Sequence, residues 1–259
     1  MKIEVLFPEF CNLYGDISNI DYLKKCVPEA EVIYTAIDNE PAFLTQNVNL
    51  IYLGPLTERK QEIVIEKLMP YKEKIQELIN NNTPFLFTGN AIEVLGKYIE
   101  NEDGTSIDGL GIFEVCAKRN MMHRFNCLYM GQYDNIEIIG FKSQFTMLYG
   151  DNSKNYFMNT QMGIGINDTT KLEGIKENNF FGTYVIGPLL ILNPLFTERL
   201  LKTMGVEKPE IAFKQDVIAA YEERLRKLNG LSEFINGEKQ DDILLVLDKK
   251  YSDDKWNII

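Results

Sequence analysis

Only one histidine and one tryptophan occur in 259 residues, and none of the four cysteines forms a Cys-x-x-Cys pair. With His123 as the sole imidazole, any Ser-His or Cys-His chemistry has to pass through it. It lies in the polar stretch Lys118-Arg119-Asn120-Met121-Met122-His123-Arg124 and reads as a solvated surface residue. The scattered Cys11, Cys26, Cys116 and Cys127 offer neither a zinc site nor a redox pair, and read as buried free thiols. No metal and no cofactor are expected. No run approaches the roughly 20 apolar residues that cross a bilayer. No basic segment followed by an apolar one opens the chain, so a cytoplasmic protein without a membrane span is expected. Basic charge is also scarce: 27 Lys and Arg against 38 Asp and Glu leave a formal charge of −11, which gives no footprint for nucleic acid or anionic lipid.

What is present supports a sizeable core, with 45% hydrophobic residues in a chain long enough for one large α/β domain or two small ones. The stretch Phe85 to Gly96 organises the rest. Phe85 to Thr88 is extended in character, Gly89-Asn90 supplies a tight turn, and Ile92, Leu95 and Ile99 recur at helical spacing. This pattern predicts a central parallel strand over 85–88 and a helix over 90–99. In an α/β sheet such a turn lies at the carboxyl end of a strand, where ligands bind and where nucleophile elbows expose a Ser or Cys. The turn here holds Thr88, Gly89, Asn90 and Ala91, an elbow without a thiol and with its one hydroxyl at the strand end.

Other strands are expected at Lys2–Phe7, Glu31–Ile37, Leu50–Leu53 and Phe180–Ile186, alternating with helices capped at Ser18 and Thr57. Asn193 with Pro194 starts a further helix that Gly205 ends. Between them, Phe113–Ala117, Arg124–Met130 and Ile136–Lys142 read as antiparallel strands. Met162-Gly163-Ile164-Gly165-Ile166-Asn167 lacks the third glycine of a dinucleotide site. Pro209–Leu228 reads as an amphipathic helix with Ile211, Val217, Tyr221, Leu225 and Leu228 inward, and the remainder, with the apolar run Ile243–Leu247, as an appendage or interaction segment.

Four ordered blocks carry a resemblance: Leu6 to Asp16 with its Asn12-Leu13-Tyr14-Gly15-Asp16, Gly54 to Gln61, Phe85 to Gly96, and Phe181 to Leu190 with its Gly182-Thr183-Tyr184. Together they resemble the class I glutamine amidotransferases of the cobyric acid synthase type, most closely the glutaminase subunits of lipid II isoglutaminyl synthases. The resemblance implies a flavodoxin-like α/β fold, a mostly parallel central sheet with helices on both faces. It places an amidotransferase-like domain at 1–205 and a C-terminal helical extension at 206–259.

The same resemblance locates departures. The family's block Cys-Gly-Gly-Tyr-Gln-Leu-Leu-Gly aligns with Gly89 to Gly96 and puts Gly89 where the nucleophilic thiolate belongs, so no glutamyl thioester is expected. Its histidine block puts Ile186 at the imidazole position. Its Gly-Gly-Gly-Gln-Asp oxyanion loop matches Gly54-Pro55-Leu56-Thr57-Glu58, where Pro55 has no N–H to donate. Glu93, at the family's Gln position, reads as a structural helix residue. Thr88, Asn90 and Arg124 are the candidates to line a ligand pocket. Arg124 falls where the family places a basic residue near the substrate carboxylate, and reads as an anion ligand or as half of a surface salt bridge.

The implied role is a non-catalytic regulatory or scaffolding subunit of a Mur-ligase-like amide synthetase in cell-wall or cobyrinate-type amidation. Two alternatives stay open: an amidotransferase component with repurposed residues, and an amino-acid sensor that uses the emptied pocket.

Overall fold

Short segments of four or five residues, rich in apolar side chains, build the central sheet: β1 (Lys2–Leu6), β2 (Glu31–Thr35), β3 (Leu50–Leu53) and β4 (Phe85–Thr88). The computed structural model describes the backbone of residues 1–237 and side chains as far as residue 231, so Ile243–Leu247 lies outside the described residues. The chain next forms β5 (Tyr98–Glu100), β6 (Ser106–Asp108), β7 (Cys116–Arg119), β8 (Phe125–Tyr133), β9 (Ile136–Gln144), β10 (Thr146–Tyr149), β11 (Met158–Met162) and β12 (Leu172–Glu173). It then returns to the central sheet through β13 (Ile175–Glu177) and β14 (Phe180–Thr183), giving the order β13-β14-β4-β3-β1-β2. Every neighbouring pair is parallel except β13 with β14.

β3 and β4 are buried at every residue, as expected of strands covered on both faces. Their alternation sorts side chains into two cores. Ile51, Leu53, Phe85 and Phe87 pack with α2 (Glu58–Leu68) and α3 (Lys72–Asn80). Leu50, Tyr52 and Leu86 pack with α1 (Ser18–Cys26), α4 (Leu189–Leu192) and α5 (Pro194–Thr203). The second core also takes Val217 of α6 (Lys214–Gly237), whose Tyr221 hydroxyl donates to the Glu137 carbonyl at 2.7 Å.

Two smaller four-stranded sheets have the orders β10-β7-β5-β6 and β12-β11-β8-β9. β8 and β9 form a long hairpin that turns on Asp134-Asn135, with Asp134 at φ 51°. β9 is an edge strand, and its outer side is occupied. Asn193 accepts from the Ile139 N–H and donates to the Ile139 carbonyl, both at 2.8 Å, and Phe141 pairs with Ile186.

Several expectations need correction. The helix expected over 90–99 is a 3-10 segment over Gly89–Leu95, followed at Tyr98 by β5. Gly96 ends it in extended backbone with its N–H on the Glu93 carbonyl, at a close approach where an added Cβ would lie 3.0 Å from the Val115 carbonyl oxygen. The strand expected at Phe113–Ala117 begins at Cys116, and the one expected to reach Ile186 stops at Thr183. The last helix starts at Lys214 rather than Pro209, after Phe213 at φ 56°. Ser18 does not cap its helix but donates to the Gly15 carbonyl from the first turn. Only Cys11 of the four free thiols is fully buried.

Candidate functional site

The elbow follows from one residue's conformational freedom. β4 delivers Thr88 in extended geometry, and the next residue reverses the chain at φ +60°, which glycine adopts without penalty. Gly89 therefore has the left-handed backbone of a strand-to-helix turn. It stands at the carboxyl end of β4, beside a cavity of about 190 Å³.

Gly89, Asn90, Pro55, Leu56, Arg124 and Ile186 all line this cavity, so the residues aligned with the family's nucleophile and histidine face one space. Thr88 does not line it, contrary to expectation. It is fully buried, and its hydroxyl donates to Asp16 at 2.5 Å. Tyr52 also donates to Asp16, and Asn19 donates to the Asp16 backbone carbonyl at 2.9 Å. Burial pushes the Asp16 carboxyl above its ordinary range, while the Thr88, Tyr52 and Asn19 bonds act the other way. The Asp that ends the Asn-Leu-Tyr-Gly-Asp block thus supports the elbow from beneath.

The opposite loop is closed as well. Gly54 stays out of the cavity lining, its Cα pressed against the Cys11 carbonyl so tightly that a Cβ would lie 2.5 Å from that oxygen. Pro55 has no N–H, and the Leu56 N–H donates to Asn90 Oδ1 at 3.0 Å while Asn90 Nδ2 donates to the Leu56 carbonyl at 2.8 Å. Asn90 is thus a clamp across the cleft. Neither position 55 nor 56 offers a free donor to an anion in this arrangement.

Ile186 is 1% exposed and held by reciprocal backbone bonds with Phe141 at 3.0 and 3.1 Å. Arg124 lies with its guanidinium 4.5 Å from the Phe145 ring centre and makes no ion pair among the described residues, which corrects the salt-bridge reading. His123 is exposed, as expected, with Nδ1 3.2 Å from Asn120 Oδ1.

Sequence reasoning missed a buried network behind the elbow. Glu93, fully buried, accepts from Gln61 at 2.8 Å and from the Tyr184 hydroxyl at 2.7 Å. Gln61 also donates to the Asn90 carbonyl at 2.9 Å and accepts from Arg119 at 3.0 Å. Burial raises the Glu93 carboxyl to about 7, against the lowering influence of Gln61, Tyr184 and Arg119. Each member except Arg119 stands in one of the ordered blocks, and that co-occurrence was the available signal.

Residues 2–192 match the CobB/CobQ-like glutamine amidotransferase domain. The subunit GatD of glutamine-hydrolyzing lipid II isoglutaminyl synthase from Staphylococcus aureus is 28% identical over 205 residues, 78% of this chain and 83% of that one. The Streptococcus pneumoniae GatD is 26% identical over 231 residues, 87% of each. Among solved structures, PurLQS from Thermotoga maritima superposes with a TM-score of 0.52 at 11% identity, over 78% of this chain and 96% of that one. A glutamine amidotransferase superposes at 0.53 and 9% identity, over 78% and 99%. Those two superpositions establish the shared α/β fold. The family match runs from β1 to α4, through the elbow and both walls of the cleft, and the chain belongs to the CobB/CobQ-like glutamine amidotransferase domain family.

Proposed function

We propose that this chain is an amidotransferase-like subunit without glutaminase activity that partners a Mur-ligase-like amide synthetase in a regulatory or scaffolding role. The observation that carries the proposal is the pairing of Gly89 with Ile186 around one cavity. Neither residue has a group that attacks an amide, holds a proton or stabilises a thiolate. The only histidine among the 259 residues is outside this lining. A synthetase partner is supported by the relatives, which are named as subunits of lipid II isoglutaminyl synthases.

The test has two arms. Co-purification of the tagged chain from its native cell is expected to bring down an ATP-dependent amide synthetase. The complex is expected to release no ammonia from glutamine above the no-protein background, while using free ammonia for amidation. Glutamine-dependent ammonia release that persists through repurification refutes the non-catalytic reading. Absence of any synthetase from the purified complex refutes the partner.

A further inference from the structure

We propose that the chain self-associates through β2, which pairs antiparallel with β2 of a second copy and joins the two central sheets edge to edge. β2 is one lateral edge of the central sheet and β13 is the other.

The two edges are finished differently. β13 is three residues long, two of them charged, and the Lys176 N–H is spent on the Asn155 carbonyl at 2.6 Å. Short length, charge and a covering loop are the usual protections of a sheet edge. β2 has five residues, Glu31-Val32-Ile33-Tyr34-Thr35, with a charge only at its first position and no proline. Its Tyr34 is 52% exposed.

The ladder to β1 decides which main-chain groups are free. The Glu31 N–H donates to the Met1 carbonyl at 2.9 Å, and the Thr35 carbonyl accepts from the Phe7 N–H at 2.7 Å. Alternate residues of a parallel strand face the same neighbour. Ile33 therefore also serves β1, while Val32 and Tyr34 direct their N–H and C=O groups away from the sheet. None of these outward groups has a hydrogen-bond partner among the described residues.

The free groups select one register. A two-fold axis at Ile33 sets Val32 opposite Tyr34 of the second copy and engages every outward group in reciprocal main-chain bonds. An axis at Val32 instead brings Tyr34 against Ala30, whose N–H is on the Val27 carbonyl and whose own carbonyl accepts from Lys24. An axis at Tyr34 brings Val32 against Ala36, whose carbonyl accepts from the Asn39 N–H at 2.9 Å. The Ile33 register also matches side chains, with Val32 against the Tyr34 ring on one face of the joined sheet and Ile33 against its own copy on the other. Glu31 falls opposite Thr35, so no like charges meet. This self-complementarity under a two-fold favours a second copy over an unrelated strand as the occupant. β3 and β1 separate β2 from β4, so the contact does not use the elbow.

The experiment is sedimentation equilibrium of the purified full chain over a range of concentrations, with amide hydrogen exchange measured on the same samples. A monomer–dimer equilibrium is expected, and exchange at Val32 and Tyr34 slows as concentration rises. Tyr34→Lys, at an exposed position, is expected to weaken the dimer at least about tenfold. Val32→Pro removes an outward N–H without touching the bonds to β1 and is expected to weaken it similarly. Leu128→Lys, at an exposed position on β8, is expected to leave the equilibrium unchanged. A chain that stays monomeric at every concentration overturns the proposal. So does a dimer that Tyr34→Lys and Val32→Pro leave intact, or one that Leu128→Lys abolishes. Protection of Val32 and Tyr34 seen only in a complex with another protein likewise overturns self-pairing and assigns the edge to that partner.

Discussion

Pro55 occupies the space into which a side chain at position 89 would project: a Cβ built on Gly89 falls 2.5 Å from the Pro55 Cβ. Real Cβ atoms do not approach so closely, and the φ of +60° at Gly89 adds its own penalty for any L residue.

Restoring the family's pair by Gly89→Cys with Ile186→His is therefore expected to yield no measurable glutaminase. The thiol has to displace Pro55, and Asn90 still holds the Leu56 N–H. Gly89→Ala alone is expected to destabilise the fold by about 1–3 kcal/mol. Adding Pro55→Ala recovers part of that loss. Urea denaturation of the single and double variants measures the coupling, and additive effects would show that the two residues do not compete for one space.

Glu93 makes stability depend on pH. Its folded pKa, raised to about 7, lies above its ordinary value of 4.5. The folded state then binds the proton more tightly than the unfolded one. This contribution is fully present below the unfolded value and is lost as pH rises through about 7. Asp16 and Glu4 are shifted in the same direction, so the comparison has to be made against a variant. Between pH 5 and pH 8 the parent chain is expected to lose about 1–3 kcal/mol more than Glu93→Gln. Denaturant midpoints at the two pH values check this, and parallel pH curves for parent and variant would refute it.

Lys142 and Glu173 form a fully buried ion pair, with Lys142 also donating to the Gly165 carbonyl and Glu173 accepting from Thr183 and the Tyr184 N–H. Lys142→Met leaves a buried carboxylate without its cation and is expected to cost about 3–5 kcal/mol. Lys142→Met with Glu173→Leu is expected to cost less than the single change. A double variant less stable than Lys142→Met would show that the remaining hydrogen bonds, not the ion pair, hold this region.

The inner strands of the parallel sheet were legible because they are short apolar runs set between polar segments. β3 at Leu50–Leu53 and β4 at Phe85–Thr88 lie where periodicity placed them. The segment after the elbow was not legible. Ile92, Leu95 and Ile99 have helical spacing, but Ile92 and Leu95 belong to a 3-10 segment and Ile99 to a strand that pairs with β7. All three are buried in one core without sharing one helix. At the site, the resemblance placed Gly89, Ile186, Pro55, Asn90 and Arg124 around one cavity. It missed the burial of Thr88 on Asp16, because a strand-end hydroxyl reads the same whether it faces solvent or the core.

The occupied outer side of β9 limits how another protein can attach. An open strand edge invites a partner to extend the sheet by pairing main chain with main chain. Here the outward amides at Ile139 and Phe141, two residues apart on the same side, are already spent on the Asn193 side chain and on the Ile186 carbonyl. A chain approaching this stretch finds no ladder to join. Association across this stretch therefore has to be read out by side chains and surface shape rather than by main-chain pairing.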